Sequence, residues 1–564
     1  LKYLLTSIFI LIIYSTIAQR SVPANLIYNS YYGGNEADEA RSITLDKDDS
    51  FYIFGYTLSS DLPTSSNSFQ DSLKGSYDAF IAKFDSSGNH IWSTYIGGSN
   101  VDIASSIKTT FDNHLILVGY SNSSDFPTTT GAFQINNAGQ YDVFIIKMDT
   151  SGQIIWSTLF GGMGGELGID ASIDLNNNII VGGQTNSSNF PYTTGAFQPL
   201  PLGGNDAFVA KFNPSGQLLW ATCYGGTSTE DAHAITSDYE NNVIITGMSN
   251  SNDLTVSTNA LQTFNNGFFD IYIAKFSANG NFIWGTYFGG TNYDDVYGIH
   301  CDSLNNLYLA GRTASVDFET TANAFQTTKN NGIDACIFKL STDGNLIWST
   351  YLGGDGDDFA DRIYVDKNNN VTTLINTISD TLSLIADTIF TNYPLNFEKV
   401  YIATLDSSGT PIWTSYFGGG NIDKAYDFKI ASGGKLFFTG TSQSTNLPTT
   451  NNAYQSNINT YIDSYIGIIE STLFFTDTTS LNSSINHLNN TFDIFIYPNP
   501  VNEYFCIKEL DDDFEIRIIS AKGEILMNKK SSENCTEIKN LAPGLYIAEI
   551  SKDGNIIRKK IIKY

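Results

Sequence analysis

Ile91-Trp92-Ser93-Thr94-Tyr95-Ile96-Gly97-Gly98 is followed, 64 residues later, by Ile155-Trp156-Ser157-Thr158-Leu159-Phe160-Gly161-Gly162. The Gly-Gly pair recurs at 33–34, 97–98, 161–162, 225–226, 289–290, 353–354 and 418–419, a spacing of 64 five times and then 65. Six residues before the second glycine stand Trp92, Trp156, Trp220, Trp284, Trp348 and Trp413, which are all the tryptophans of the chain. Tyr28 holds the same slot ahead of Gly34. So regular a period means one structural unit per repeat, and the seven aromatics mark a repeated packing position.

Each repeat carries four strand-like runs. In the first they are 40–45, 51–57, 79–84 and 90–96, with turn-forming Asp46-Lys47-Asp48-Asp49 and Asp85-Ser86-Ser87-Gly88 between outer pairs. A loop of about 20 residues joins the second run to the third. Four short antiparallel strands per repeat, with no helical periodicity, make a propeller blade. Six blades are complete by Gly419. A seventh has 426–431, 435–441 and 464–469 but no fourth strand and no tryptophan. The missing strand is 26–32, at the other end of the chain. The expected fold is all-β: a seven-bladed propeller over 19–475 closed by an N-terminal strand, a polar linker over 476–490, and a small β-sandwich over 491–564.

The chain has 564 residues, which by length alone suggests three or four domains. It has 30 basic and 58 acidic residues, and the net charge of −28 falls on residues 19–491. So acidic a chain lacks the basic footprint of a nucleic-acid partner. With 41% hydrophobic, 13% aromatic and 16% charged residues it has ample material for a core. Lys2, the apolar run 3–13 and Thr16-Ile17-Ala18 read as a secretory signal over 1–18, too short for a full membrane span. No other segment approaches 18 apolar residues. Cys223, Cys301 and Cys336 fall in repeat strands as small hydrophobes. Cys506 and Cys535 share the last domain, where pairing stays open.

The stretch Asp125-Phe126-Pro127-Thr128-Thr129-Thr130-Gly131-Ala132-Phe133-Gln134, with copies at 190–198, 317–326 and 446–455, resembles the bacterial β-propeller repeat called SBBP. The sixth repeat departs from it: 376–393 lacks both segments, and Ile375 replaces the usual glycine. That resemblance implies a fold and an extracellular setting, without a defined reaction. The C-terminal segment carries Tyr497-Pro498-Asn499-Pro500, Gly523, Gly544-Leu545-Tyr546 and a basic end. In order and spacing it resembles the type A C-terminal sorting domain of the type IX secretion system of Bacteroidota. This implies an immunoglobulin-like sandwich recognised by the outer-membrane export machinery, and delivery to the medium or the cell surface.

Four residues after each second glycine comes an acid: Asp38, Asp102, Glu166, Glu230, Asp294, Asp358 and Asp423. Two readings compete. Each carboxylate accepts backbone N–H bonds in its own turn, or the seven line the channel rim and bind a cation. Calcium suits such hard oxygen ligands, and Asp355, Asp357, Asp358 and Asp361 form the densest local set. Asp46, Asp174, Asp238, Asp302 and Asp366 read as Asx turns. Five scattered histidines show no paired ligand spacing, and no nucleophile elbow is present. Arg41, Arg312 and Arg362 sit at unlike blade positions, which disfavours an arginine cluster. The expected function is a surface or secreted scaffold that binds glycans or proteins through its long-loop face. The alternative is a carbohydrate-active enzyme, a hydrolase or lyase, using non-repeated acids on that face.

Overall fold

The second and third strands of each repeat are apolar on both faces, so they are stable only between two other layers. Phe51–Thr57 and Asp142–Met148 are buried almost throughout. In the computed structural model this is satisfied by packing blade on blade. One apolar cluster joins Tyr52 and Phe54 of the first blade to Ile107, Leu117 and Phe144 of the second. Similar clusters follow between later neighbours. The structure describes residues 24–471 except 386–396 and 432, residue 474, and the strands of the C-terminal segment between 495 and 563. Among the described residues there is no α-helix.

Six blades are four-stranded antiparallel sheets in simple up-and-down order, the first being Asp38–Leu45, Phe51–Thr57, Asp78–Phe84 and His90–Ile96. The first strands touch one another in sequence, and that of the seventh blade, Asp423–Ile430, meets Asp38–Leu45 again. They form the inner wall of a closed ring. The seventh blade is Asp423–Ile430, Lys435–Ser442, Asp463–Ser471 and, as its outermost strand, Ala24–Tyr32. The N-terminal strand pairs antiparallel with register Ala24↔Ser471 to Tyr32↔Ser464, bulged between Leu26 and Tyr28. Every other described outermost strand bulges at the same point, just before its tryptophan, as between Lys83 and Phe84 opposite Trp92 and His90. The N-terminal strand therefore reproduces a blade edge in detail.

Two compact units, 1–478 and 479–564, replace the three or four domains that length suggests, because seven blades share one continuous core. The second unit has a three-stranded sheet, Phe495–Tyr497, Tyr504–Lys508 and Cys535–Glu537, and a four-stranded sheet of Ile525–Ser531, Phe514–Ser520, Gly544–Lys552 and Asn555–Lys563. The backbone register places Cys506 opposite Cys535. Ile516, Ile518, Tyr546 and Ala548 are buried. Pro498, Asn499, Pro500 and Gly523, the signal segment 1–18 and the linker 476–490 lie outside the described residues.

Candidate ligand-binding site in the channel mouth

The seven repeated acids are fully buried, each within its own turn. The N–H of Gly34 donates to Asp38 Oδ2 at 2.7 Å, and the same bond closes every repeat through to Gly419 and Asp423 at 2.6 Å. Serine hydroxyls at the start of the long loop, such as Ser59 at 2.9 Å and Ser444 at 2.8 Å, donate to the same oxygens. A second carboxylate, which the sequence reading passed over, faces each of six of them from the third strand. Asp78 Oδ2 accepts from Gln70 Nε2 at 2.6 Å, while Gln70 Oε1 accepts from the N–H of Gly97 at 3.1 Å. This is the task of the glutamine in the Ala-Phe-Gln segment. A Cβ on Gly97 would stand 2.6 Å from Asp78 Cγ and 2.8 Å from Asp102 Oδ2, so only glycine fits between the two acids. Burial, with the facing carboxylate adding to it, pushes Asp102, Asp142, Asp270 and Asp358 up to about 6 and Asp38 to about 7. In the sixth blade the partner is Lys399 instead, and the glutamine segment is missing with it; Lys399 Nζ donates to Asp380 Oδ1 at 2.7 Å.

The four carboxylates proposed for a cation are put to separate uses. Asp355 Oδ1 accepts from the N–H of Asp380 at 3.0 Å, and Asp357 Oδ1 from that of Ile333 at 2.9 Å. Asp358 closes its own turn, and Asp361 accepts from Asn376 Nδ2. Among the described residues no three His, Cys, Asp or Glu side chains come together as a metal site. Carboxylates adjacent in sequence alternate across a strand and its turn, so these four point to different partners.

The channel itself holds a different constellation. Each innermost strand bulges at its fourth residue, where the register shifts: Arg41, Ser105, Ile169, His233, Tyr297, Asp361 and Tyr426. A bulged residue has no partner in the ladder and its side chain is re-aimed. Six of these seven line one cavity of about 430 Å³. The other walls come from Tyr120 and Arg312 near the ends of second strands, from Phe359, Arg362 and Lys424 on innermost strands, and from Asn376 and Glu398. Second strands end where the long loops begin, so the cavity opens on the long-loop face. All three arginines of residues 24–471 line it. They occupy the fourth and fifth positions of two innermost strands and the sixth of a second strand, unlike places in the repeat that the ring brings to one space.

The guanidiniums are held firmly. Arg41 Nη2 donates to Tyr56 Oη at 3.0 Å and pairs with Glu39 at 3.2 Å, its guanidinium 4.4 Å from the Tyr426 ring centre. Arg312 Nη2 donates to Tyr297 Oη at 2.6 Å and Tyr293 Oη at 3.0 Å, and pairs with Asp295 at 3.3 Å. Arg362 Nη1 donates to the Tyr297 carbonyl at 2.7 Å. Burial raises Asp361 to about 6 against the pull of Arg362 and Arg312. His233 stacks on Tyr297 with ring centres 4.4 Å apart and binds Asp295 at 2.9 Å. Deeper in the channel Lys108 pairs with Asp170 at 3.0 Å and Lys429 with Asp427 at 3.4 Å, which gives the cavity a polar floor. The sequence signal for this site was an inner-strand position that varies from repeat to repeat, directly after a small residue, alanine, glycine or valine, that recurs in all seven.

Residues 495–564 match the family described as the Secretion system C-terminal sorting domain, and residues 283–319 match the Beta-propeller repeat. The chain is a seven-bladed β-propeller whose C-terminal segment matches a secretion sorting domain. That tail marks the propeller as secreted or exposed on the outer-membrane surface. Among the described residues no helix is long and apolar enough to cross a membrane. An uncharacterized WD repeat-containing protein of Acanthamoeba polyphaga mimivirus is 25% identical over 351 residues, covering 52% of this chain and 25% of its own length. The regulatory protein FlaEY of Caulobacter vibrioides is 21% identical over 310 residues, covering 51% of this chain and 31% of its own. The chain thus spans between a quarter and a third of the curated relatives it matches. A solved protein of unknown function from Dyadobacter fermentans aligns over 79% of this chain and 99% of its own at 8% identity and a TM-score of 0.38.

Proposed function

We propose that this is a non-enzymatic propeller, exported through the type IX machinery, that binds a glycan in the channel-mouth cavity of its long-loop face. In this reading residues 1–18 are a signal, 19–475 the propeller and 476–490 a linker. Residues 491–564 then form an immunoglobulin-like sandwich, read by the exporter through Tyr497 to Pro500, Gly523, Gly544 and Tyr546. One observation carries the binding site. Seven equivalent bulge positions hold six residue types, while the acid at the first position of each inner strand and the small residue at the third recur. Seven like blades need only one residue for folding, so unlike residues at the shared opening answer to an unsymmetrical ligand. Retention of the propeller on immobilised glycans, lost in Phe359→Ala with melting behaviour retained, is the expected result; equal retention by wild type and variant sinks the site.

A second reading rests on Asp361, a non-repeated carboxyl in the cavity with its proton affinity raised by burial. As a general acid it would make the protein a hydrolase or lyase. New reducing ends or unsaturated ends from a polysaccharide panel, abolished in Asp361→Asn, would favour that reading over simple binding.

A further inference from the structure

We propose that the cavity takes a carboxylate-bearing saccharide, with Arg41, Arg312, Arg362 and Lys424 receiving the carboxylate. This rests on the cavity being the ligand site, and adds the chemical class of the ligand. The propeller is strongly acidic, yet every arginine of residues 24–471 lines this one space, with Lys424 beside them. A guanidinium keeps its charge at any working pH, and its planar fork matches a carboxylate. Arg312 donates to the Tyr297 and Tyr293 hydroxyls and pairs with Asp295, and Arg362 donates to the Tyr297 carbonyl and pairs with Asp427, so both forks are pre-positioned.

The remaining walls discriminate among anions. Phe359, Tyr297 and Tyr426 add aromatic surface to the cavity wall. Asp361 and Glu398 are acceptors for hydroxyls, and Asn376 both donates and accepts. An anion rich in hydroxyls uses all of these groups.

Calorimetry on the full chain tests this with trigalacturonate, its methyl ester, a sulfated carboxyl-free trisaccharide and hexaglutamate as probes. Trigalacturonate is expected to bind one to one, weakening with salt, and the ester to bind at least roughly tenfold more weakly. Lys424→Gln, a partly exposed side chain, is expected to weaken trigalacturonate by a larger factor than the ester. Equal binding of acid and ester overturns the proposal, as does preference for the sulfated sugar or for hexaglutamate. The ester comparison uses wild-type protein and stands even where a variant misfolds. If neutral sugars bind and Phe359→Ala abolishes it, the carboxylate assignment falls while the cavity remains the glycan site. If no saccharide binds, both readings fall.

Discussion

The tryptophans show what one residue does in a ring of like blades. Trp220 Nε1 donates to the Ala278 carbonyl at 2.9 Å, in the outer turn of the next blade. Its ring covers Gly280, whose φ of 81° is a left-handed value and whose Cβ would come within 2.8 Å of the indole. Trp92, Trp156 and Trp284 repeat the bond at 3.2, 3.1 and 3.0 Å, and Tyr28 Oη reaches the Gly88 carbonyl at 2.9 Å. These five aromatics therefore fasten their blades to the next, and Trp348 covers Gly409 of the following turn without the bond. Trp220→Ala removes that clasp and leaves a void between blades. It is expected to cost about 3–5 kcal/mol, read as a drop in the denaturant midpoint. A change below about 1 kcal/mol would show that the indole does not hold the blades together.

At the scale of the element, the N-terminal strand is decisive. Ala24–Tyr32 hydrogen-bonds along the whole of Asp463–Ser471 and buries Tyr28, Tyr31 and Tyr32. Its loss bares a strand edge and an apolar face together. Deleting residues 24–32 is expected to lower the thermal midpoint by more than about 5 °C and to promote association through the bared edge, seen by light scattering. A truncated chain that melts at the full-length temperature and stays monodisperse would refute ring closure by this strand. The seventh blade lacks the Asp-x-x-Gly turn that would receive Trp413, and Phe474 packs edge-on against that indole at 5.7 Å instead.

Across the whole molecule, the paired acids set the pH response. Asp38, Asp102, Asp142, Asp270, Asp358 and Asp463 hold protons up to about pH 6–7, chiefly through burial, while an unfolded chain releases them near pH 4. Between those limits the folded state binds more protons, so stability falls as pH rises. His300, pushed by burial down to about 4, acts the other way between about 6.5 and 4, but it is outnumbered. The melting temperature is expected to be highest near pH 4 and to decline toward pH 7.5. A melting temperature that climbs steadily from pH 5 to 7.5 would show that the buried pairs are ionised at no cost.

Much of this was legible in the chain alone. Blade number, strand order, ring closure and the clasping aromatics follow from a 64-residue period and local apolar pattern, because each blade folds by contacts within one repeat and with the next. The glutamine-linked acid pairs were half legible: Asp102 stood out beside its glycines, whereas Asp78 is 24 residues away and meets it only across a blade boundary. The site was not legible. Arg41, Arg312 and Arg362 look unrelated along the chain because they hold different places in different repeats. Closing the ring puts all seven inner strands around one opening, and their bulges turn unpaired side chains into it. The sequence by itself determined a seven-bladed, exported ring; only the tertiary structure decided that its rare cations share one cavity, since that proximity belongs to the circle and to no single repeat.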